Sequence, residues 1–236
     1  MTDRPAAVTL FLLPYAGGSF YAYNELIKQL GPGLTPLALD LPGRGRRLRE
    51  PLLMSAEALA ADLFGQMRPH LDRPYAIFGH SLGAILGYLA AGLARRDGLA
   101  EPRHLFVSAR IAPEHPEPGC LHRLPEAEFI AQVVARYQGI PPAVLAEPEL
   151  LALFGPILRA DVAAAETYRH QPQHLTAPVT VLLGADDPST RGRRPGWDQA
   201  TSGPVRVQSF SGGHFYLFEH LAAVAALIRQ ALREGA

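Results

Sequence analysis

The sequence predicts an α/β protein: a mostly parallel central sheet flanked by helices, with a helical insertion in the second half of the chain. Three observations carry this. Short β-rich apolar runs alternate with longer stretches of helical periodicity, as strand–helix–strand units with right-handed crossovers do. The runs are apolar at consecutive positions, which suits strands buried on both faces. Between Pro113 and His174 the alternation stops, leaving helical patterns and no strand candidate, and afterwards it resumes. One domain is expected, with residues 1–112 as the first part of the core, 113–174 as the insertion and 175–236 as the second part.

The first strand is expected at residues 8–13, running into Pro14-Tyr15-Ala16-Gly17-Gly18. Ser19 then suits the N-cap of a helix reaching Leu30, with Tyr23, Leu26, Ile27 and Leu30 on one face, and Gly31-Pro32-Gly33 stops it. A second strand covers 34–41. Ser55 opens another helix, with Leu59, Leu63, Met67 and Leu71 at four-residue spacing and Pro69 as its breaker. The run from Tyr75 ends in Gly79-His80-Ser81-Leu82-Gly83 and leads into an Ala-rich helix reaching about Arg96; a further strand covers 104–109. Within the insertion, Phe129, Ile130, Val133, Val134 and Tyr137 form one amphipathic stripe. Residues 150–168 form a second, interrupted at Gly155-Pro156. Strands at 178–183 and 205–210 follow, and a terminal helix carries Leu217, Leu221, Val224, Ile228 and Leu232.

Composition narrows the function classes. The 236 residues are 48% hydrophobic, and Lys+Arg and Asp+Glu are each 22, so no net charge favours nucleic acid or an anionic membrane surface. The apolar run at 6–13 is too short to span a bilayer and has no signal-peptide pattern around it. The one cysteine, Cys120, has no internal disulfide partner, so a reducing, cytoplasmic setting is expected. His170 and His174 stand four apart without a carboxylate motif, and no metal or cofactor is expected.

In a parallel sheet, ligands bind beyond the carboxyl ends of the strands. Four loops at that edge carry Ala16, Ser81, Asp187 and His214. Gly79–Gly83 is Gly-x-Ser-x-Gly between a strand and a helix, which exposes a serine hydroxyl at a tight turn. A hydroxyl is a weak nucleophile unless a base takes its proton and an acceptor fixes that base's tautomer. His214, after Gly212-Gly213, is the expected base. Asp186 and Asp187 compete for the acid; the third position after Gly184 favours Asp187, stiffened by Pro188. The order Ser81…Asp187…His214 is that of α/β-hydrolases. Backbone N–H groups of Leu82 and Ala16 are the expected oxyanion donors. His80 reads as packing or polar support. Arg44, Arg46, Arg47 and Arg49 read as a solvated loop, with docking of an acidic partner as the alternative.

With these residues in place, the chain resembles the type II thioesterases that accompany polyketide synthases and nonribosomal peptide synthetases. The matching stretches are Leu13-Pro14-Tyr15-Ala16-Gly17-Gly18, Leu41-Pro42-Gly43-Arg44-Gly45-Arg46-Arg47-Leu48, Phe78-Gly79-His80-Ser81-Leu82-Gly83-Ala84, Leu158-Arg159-Ala160-Asp161 and Gly213-His214-Phe215. Tyr15 and Leu82 depart from the family's common His and Met without removing a backbone donor. The resemblance implies an α/β-hydrolase fold and hydrolysis of acyl groups stranded on the phosphopantetheine arm of carrier protein domains. It implies no cofactor, and an insertion that acts as a lid shaping the acyl chamber, with Asp161 and Glu166 as lid architecture. A monomer is expected, with no nucleic-acid or membrane partner. The alternatives are a carboxylesterase using the same triad and a non-catalytic binding protein with this fold.

Overall fold

The computed structural model describes residues 7–117, 119–137, 139–140 and 142–234. Six strands form one sheet: β1 (Val8–Leu13), β2 (Leu34–Ala38), β3 (Tyr75–His80), β4 (Leu105–Ser108), β5 (Val179–Gly184) and β6 (Val205–Phe210). Their order is β2-β1-β3-β4-β5-β6 and every neighbouring pair is parallel. The chain steps from β1 out to β2, returns past β1 to β3, and then runs to the far edge. The reversal lies between β1 and β3, and a crevice at the carboxyl ends is expected there.

Helices cover both faces. They are α1 (Asn24–Gln29), α2 (Ala56–Met67), α3 (Leu82–Arg96), α4 (Glu126–Tyr137), α5 (Pro142–Ala146), α6 (Pro148–Thr167) and α7 (Leu221–Glu234). Side chains of β1 alternate between faces. Phe11 and Leu13 join the core under α2 and α3, while Leu10 and Leu12 join the one under α1 and α7.

Local chemistry explains where the elements depart from expectation. The segment after β1 opens as a 3-10 turn, Phe20–Tyr23, because Asp40 accepts the Phe20 N–H at 2.9 Å; Ser19 makes no side-chain cap and α1 is short. Ser55 does cap α2, accepting from Ala58 N at 3.2 Å. Leu71 is buried but lies beyond the 3-10 turn Arg68–His70 that follows α2. Leu217 likewise sits in a 3-10 turn, Tyr216–Phe218, ahead of α7. The expected break at Gly155-Pro156 is absent: α6 runs through Pro156. Proline removes one N–H, but Ala152, whose carbonyl would have taken it, is exposed to water. The buried side chains of Ile157, Leu158 and Val162 hold the helix against the core beyond.

Between β4 and β5 the described residues contain α4, α5 and α6 and no strand. Phe129, Ile130, Val133, Leu158 and Val162 form a separate apolar cluster there. The arginine loop is solvated only in part: Arg46 and Arg49 are exposed, as expected, while Arg44 is not. Arg44 is buried in an ion pair with Asp161 of α6, Arg46 pairs with Asp40 at 3.1 Å, and Arg47 donates to Asp62 at 2.7 Å and to Glu50. Of the four arginines, Arg44 alone is paired in the interior.

Candidate active site

The turn after β3 is set by backbone crowding. A Cβ on Gly79 would lie 2.1 Å from the Gly83 carbonyl oxygen, and one on Gly83 would lie 2.5 Å from that of Leu13. Only glycine permits this approach of strand and helix. Ser81 between them has φ 55° and ψ −115°, a conformation that costs on the order of 1–3 kcal/mol and persists only where its surroundings impose it. Here the Ser81 N–H donates to the Ser108 carbonyl at 2.8 Å, and α3 begins at the next residue.

Ser81, His214 and Asp187 come from three different strand ends and meet. His214 Nε2 lies 3.0 Å from Ser81 Oγ, and Nδ1 lies 2.8 Å from Asp187 Oδ2. Asp187 is fully buried and also accepts from Ser189 N at 2.9 Å and Ser189 Oγ at 2.7 Å. Burial pushes the Asp187 carboxyl up, but the bonds from His214 and Ser189 outweigh it and hold the group below the usual carboxylate value. Asp186 is exposed, and among the described residues its side chain has no hydrogen bond.

The Ala16 and Leu82 segments flank Ser81 on the wall of a cavity of about 610 Å³, counted out to its mouth. Leu82 is the first residue of α3, so its N–H has no partner within the helix. Ala16 N donates to no group among the described residues. The neighbouring Gly17 N–H donates to Asp161 at 2.7 Å, and Arg44 grips the same carboxylate, with Nη2 2.9 Å from Oδ1. The insertion thus fastens the loop after β1. Its other wall residues, Val133, Ile140, Phe154, Leu158 and Val162, make the cavity largely apolar.

His80 is fully buried; Nδ1 bonds Ser108 Oγ at 2.9 Å, and that hydroxyl bonds Tyr216 OH at 2.6 Å. Burial, reinforced by His214 alongside, pushes His80 well below its ordinary value, so it is neutral. Glu166 receives the Leu121 and His122 N–H groups at 2.8 and 3.1 Å within the insertion. His170 packs against Tyr88, and among the described residues no group of three or more His, Cys, Asp or Glu could hold a metal ion.

A constellation that can activate a hydroxyl beside two unengaged backbone N–H groups can perform acyl transfer. The Thioesterase domain model matches residues 8–232. The chain belongs to the thioesterase domain family. This thioesterase, an acyl-thioester hydrolase of α/β-hydrolase fold, is similar to Thioesterase PikA5 of Streptomyces venezuelae, 38% identical over 237 residues covering 92% of this chain and 84% of PikA5. It is also 34% identical to the protein named linear gramicidin dehydrogenase LgrE of Brevibacillus parabrevis, covering 97% of this chain and 89% of LgrE. Among solved structures, the type II thioesterase BorB from the borrelidin biosynthetic cluster superposes with a TM-score of 0.84 at 35% identity, over 99% of this chain and 95% of that one.

Sequence reasoning missed several parts of this thioesterase's site. Ser189 follows Asp187 by two, the spacing at which an Asp side chain bonds the chain ahead of it, so this contact was available as a turn signal. The Asp161–Gly17 bond spans 144 residues and leaves no local signal. Tyr137, its ring 4.9 Å from that of His214, looked like one more member of an apolar stripe.

Proposed function

We propose that this thioesterase hydrolyses acyl groups held as thioesters on the phosphopantetheine arm of carrier domains in polyketide or nonribosomal peptide assembly, editing stalled chains or releasing them. The observation that carries the reading is the hydrogen-bonded line Ser81–His214–Asp187 at the wall of a largely apolar chamber. Ser81 attacks the thioester carbonyl while His214 Nε2 takes its proton. Asp187 holds His214 in the required tautomer and faces the imidazolium as it forms. The Ala16 and Leu82 N–H groups receive the oxyanion. Collapse expels the thiol, protonated by His214, and leaves an acyl-Ser81 ester. Water, deprotonated by His214, attacks that ester and releases the carboxylic acid. Helices α4–α6 act as a lid over the chamber, and no step requires a cofactor. The reading places the enzyme in the cytoplasm, where Cys120, exposed and free, stays reduced.

The name of LgrE does not extend to this chain. A dinucleotide cradle of the G-x-G-x-x-G type is missing after β1, which runs into Pro14-Tyr15-Ala16-Gly17-Gly18. The nearest approach to it, Gly43-Arg44-Gly45-Arg46-Arg47-Leu48, lies after β2 and has its Arg44 engaged by Asp161.

The test is steady-state hydrolysis of an acylated carrier domain against a matched oxygen ester. Ser81→Ala is expected to lower kcat by roughly 10⁶, and a fluorophosphonate to label Ser81 of the wild type. Near wild-type turnover in the variant removes the mechanism. Equal or better kcat/KM on the ester favours a carboxylesterase.

A further inference from the structure

The chamber beside Ser81 is not apolar throughout. Its wall at the carboxyl end of β4 carries Arg110, Glu117 and Tyr137. Ala109, at φ 51°, turns the chain there, and Trp197 fixes the turn by donating its indole N–H to the Arg110 carbonyl at 3.0 Å. Glu117 is well supplied with donors: Arg110, Arg136 Nη2 at 2.9 Å and Tyr137 OH at 2.6 Å. Arg110 is less well supplied with acceptors. It is only 8% exposed, yet its Nε has no hydrogen-bond partner among the described residues.

Arg110 and Glu117 also border a narrow cleft of about 200 Å³ next to the chamber. Across it stands Thr190, 4% exposed, whose hydroxyl is unpartnered as well, beside Ser189 and Arg193. Of the three buried unpartnered side-chain nitrogen and oxygen atoms among the described residues, two therefore border this cleft, and of those two only Arg110 also lines the chamber; the third is His80 Nε2. The charges around it are Arg110, Arg136 and Arg193 against Glu117, with Glu166 and Asp187 also acting on Tyr137, and the donor that has no acceptor among them is Arg110 Nε. Buried donors left unmet are destabilising, and native proteins rarely keep them without a use.

We propose that this wall is a subsite for an acceptor oxygen on the acyl chain. The enzyme favours acyl groups bearing a carbonyl, hydroxyl or carboxylate oxygen beyond the thioester carbon over unsubstituted chains of equal length. The inference rests on the acyl-thioesterase reading and names its substrate class. An oxygenated chain meets the Arg110 donor after a small shift of that side chain toward the chamber; an alkyl chain of the same size leaves it buried and unmet. Sites built to hydrogen-bond a substrate group discriminate against the analogue that lacks it far better than apolar pockets discriminate by size.

The test compares kcat/KM for butyryl, 3-hydroxybutyryl, acetoacetyl and succinyl thioesters of N-acetylcysteamine. The wild type is expected to favour an oxygenated chain over butyryl by about tenfold or more, the scale of one well-placed hydrogen bond. In Arg110→Met that ratio falls toward one. The acetoacetyl and 3-hydroxybutyryl arms against the succinyl arm separate a neutral from a charged oxygen. Wild-type preference for butyryl over all three, or the same ratio in wild type and Arg110→Met, overturns the subsite. Should Arg110→Met fail to fold, Arg110→Lys retains a cation for Glu117 but offers no N–H at the Nε position, and an unchanged ratio in it is equally fatal. Failure to hydrolyse all four, with an acylated carrier domain also left intact, counts against the proposed carrier-thioester activity and not against the subsite. The subsite is then read from calorimetric binding of the four to Ser81→Ala, where tighter binding of oxygenated chains supports it and equal binding overturns it.

Discussion

Two aspartates of this thioesterase are fully buried and within reach of the same chamber, and they are held in opposite ways. Asp187 accepts from no arginine or lysine: its donors are the His214 ring, the Ser189 amide and the Ser189 hydroxyl. Asp161 is gripped by a guanidinium, Arg44, with the Gly17 amide beside it. A carboxylate with no permanent cation beside it keeps a negative charge that is free to stabilise an imidazolium 2.8 Å away. A carboxylate bound by a guanidinium is already neutralised, and its remaining use is geometric. On the proposed mechanism the first arrangement serves chemistry, while the second fastens the loop after β1 to the insertion.

The largest effects should come from Asp187. Replacing it with Asn keeps the shape but removes the charge and permits the wrong His214 tautomer, so kcat should fall by on the order of 10⁴. Asp186→Asn alters an exposed turn residue and should change kcat by less than about tenfold. Steady-state kinetics on one short acyl thioester decides this, and a large loss at Asp186 with little at Asp187 would exchange their roles.

Asp161 should act through both stability and geometry. Leaving Arg44 buried without its partner costs about 3–5 kcal/mol, so Asp161→Leu is expected to lower Tm markedly. An apolar pair of similar volume, Arg44→Met with Asp161→Leu, should restore most of that stability. It does not return an acceptor for Gly17 N–H. If Asp161 positions the Ala16 amide, the double variant stays slow, with a loss in kcat of up to about 10² and KM little changed. Recovery of both Tm and kcat would reduce Asp161 to a structural role.

The same contrast explains what was legible in the sequence. All six strands fall within a few residues of their expected places, because consecutive apolar runs between glycines and prolines have few other homes. The turn at Ser81 is equally local: Gly79, Ser81 and Gly83 sit within five residues, and backbone crowding specifies each. Asp187 and His214 stand in separate loops, but strand ends in a parallel sheet converge on one edge, so chain order placed them near Ser81. Asp161 had no such guide. Its partners, Arg44 and Gly17, are 117 and 144 residues away and reach it only once α6 packs over the sheet. For that reason nothing in the sequence separates the buried Arg44 from its exposed neighbours Arg46 and Arg49. Pro156 misled in the opposite direction, since a breaker in sequence is tolerated where the freed carbonyl faces water.

The smallest expected effect probes the hydrogen-bonded environment of Asp187 away from catalysis. Its carboxyl is held below the ordinary value, so on acidification the unfolded chain takes up the proton first. The stability this group contributes is therefore complete above the unfolded value of about 3.9 and is lost as pH falls through the lower folded value. Asp187→Asn has no such proton to bind. Urea midpoints measured between pH 6 and pH 3 should fall more steeply for the wild type than for Asp187→Asn, whatever their difference at pH 6. Asp186→Asn, which removes a carboxylate from the adjacent exposed position, should follow the wild-type slope. Parallel slopes for wild type and Asp187→Asn would mean that His214 and Ser189 do not outweigh burial, and the distinction from Asp161 would then rest on geometry alone.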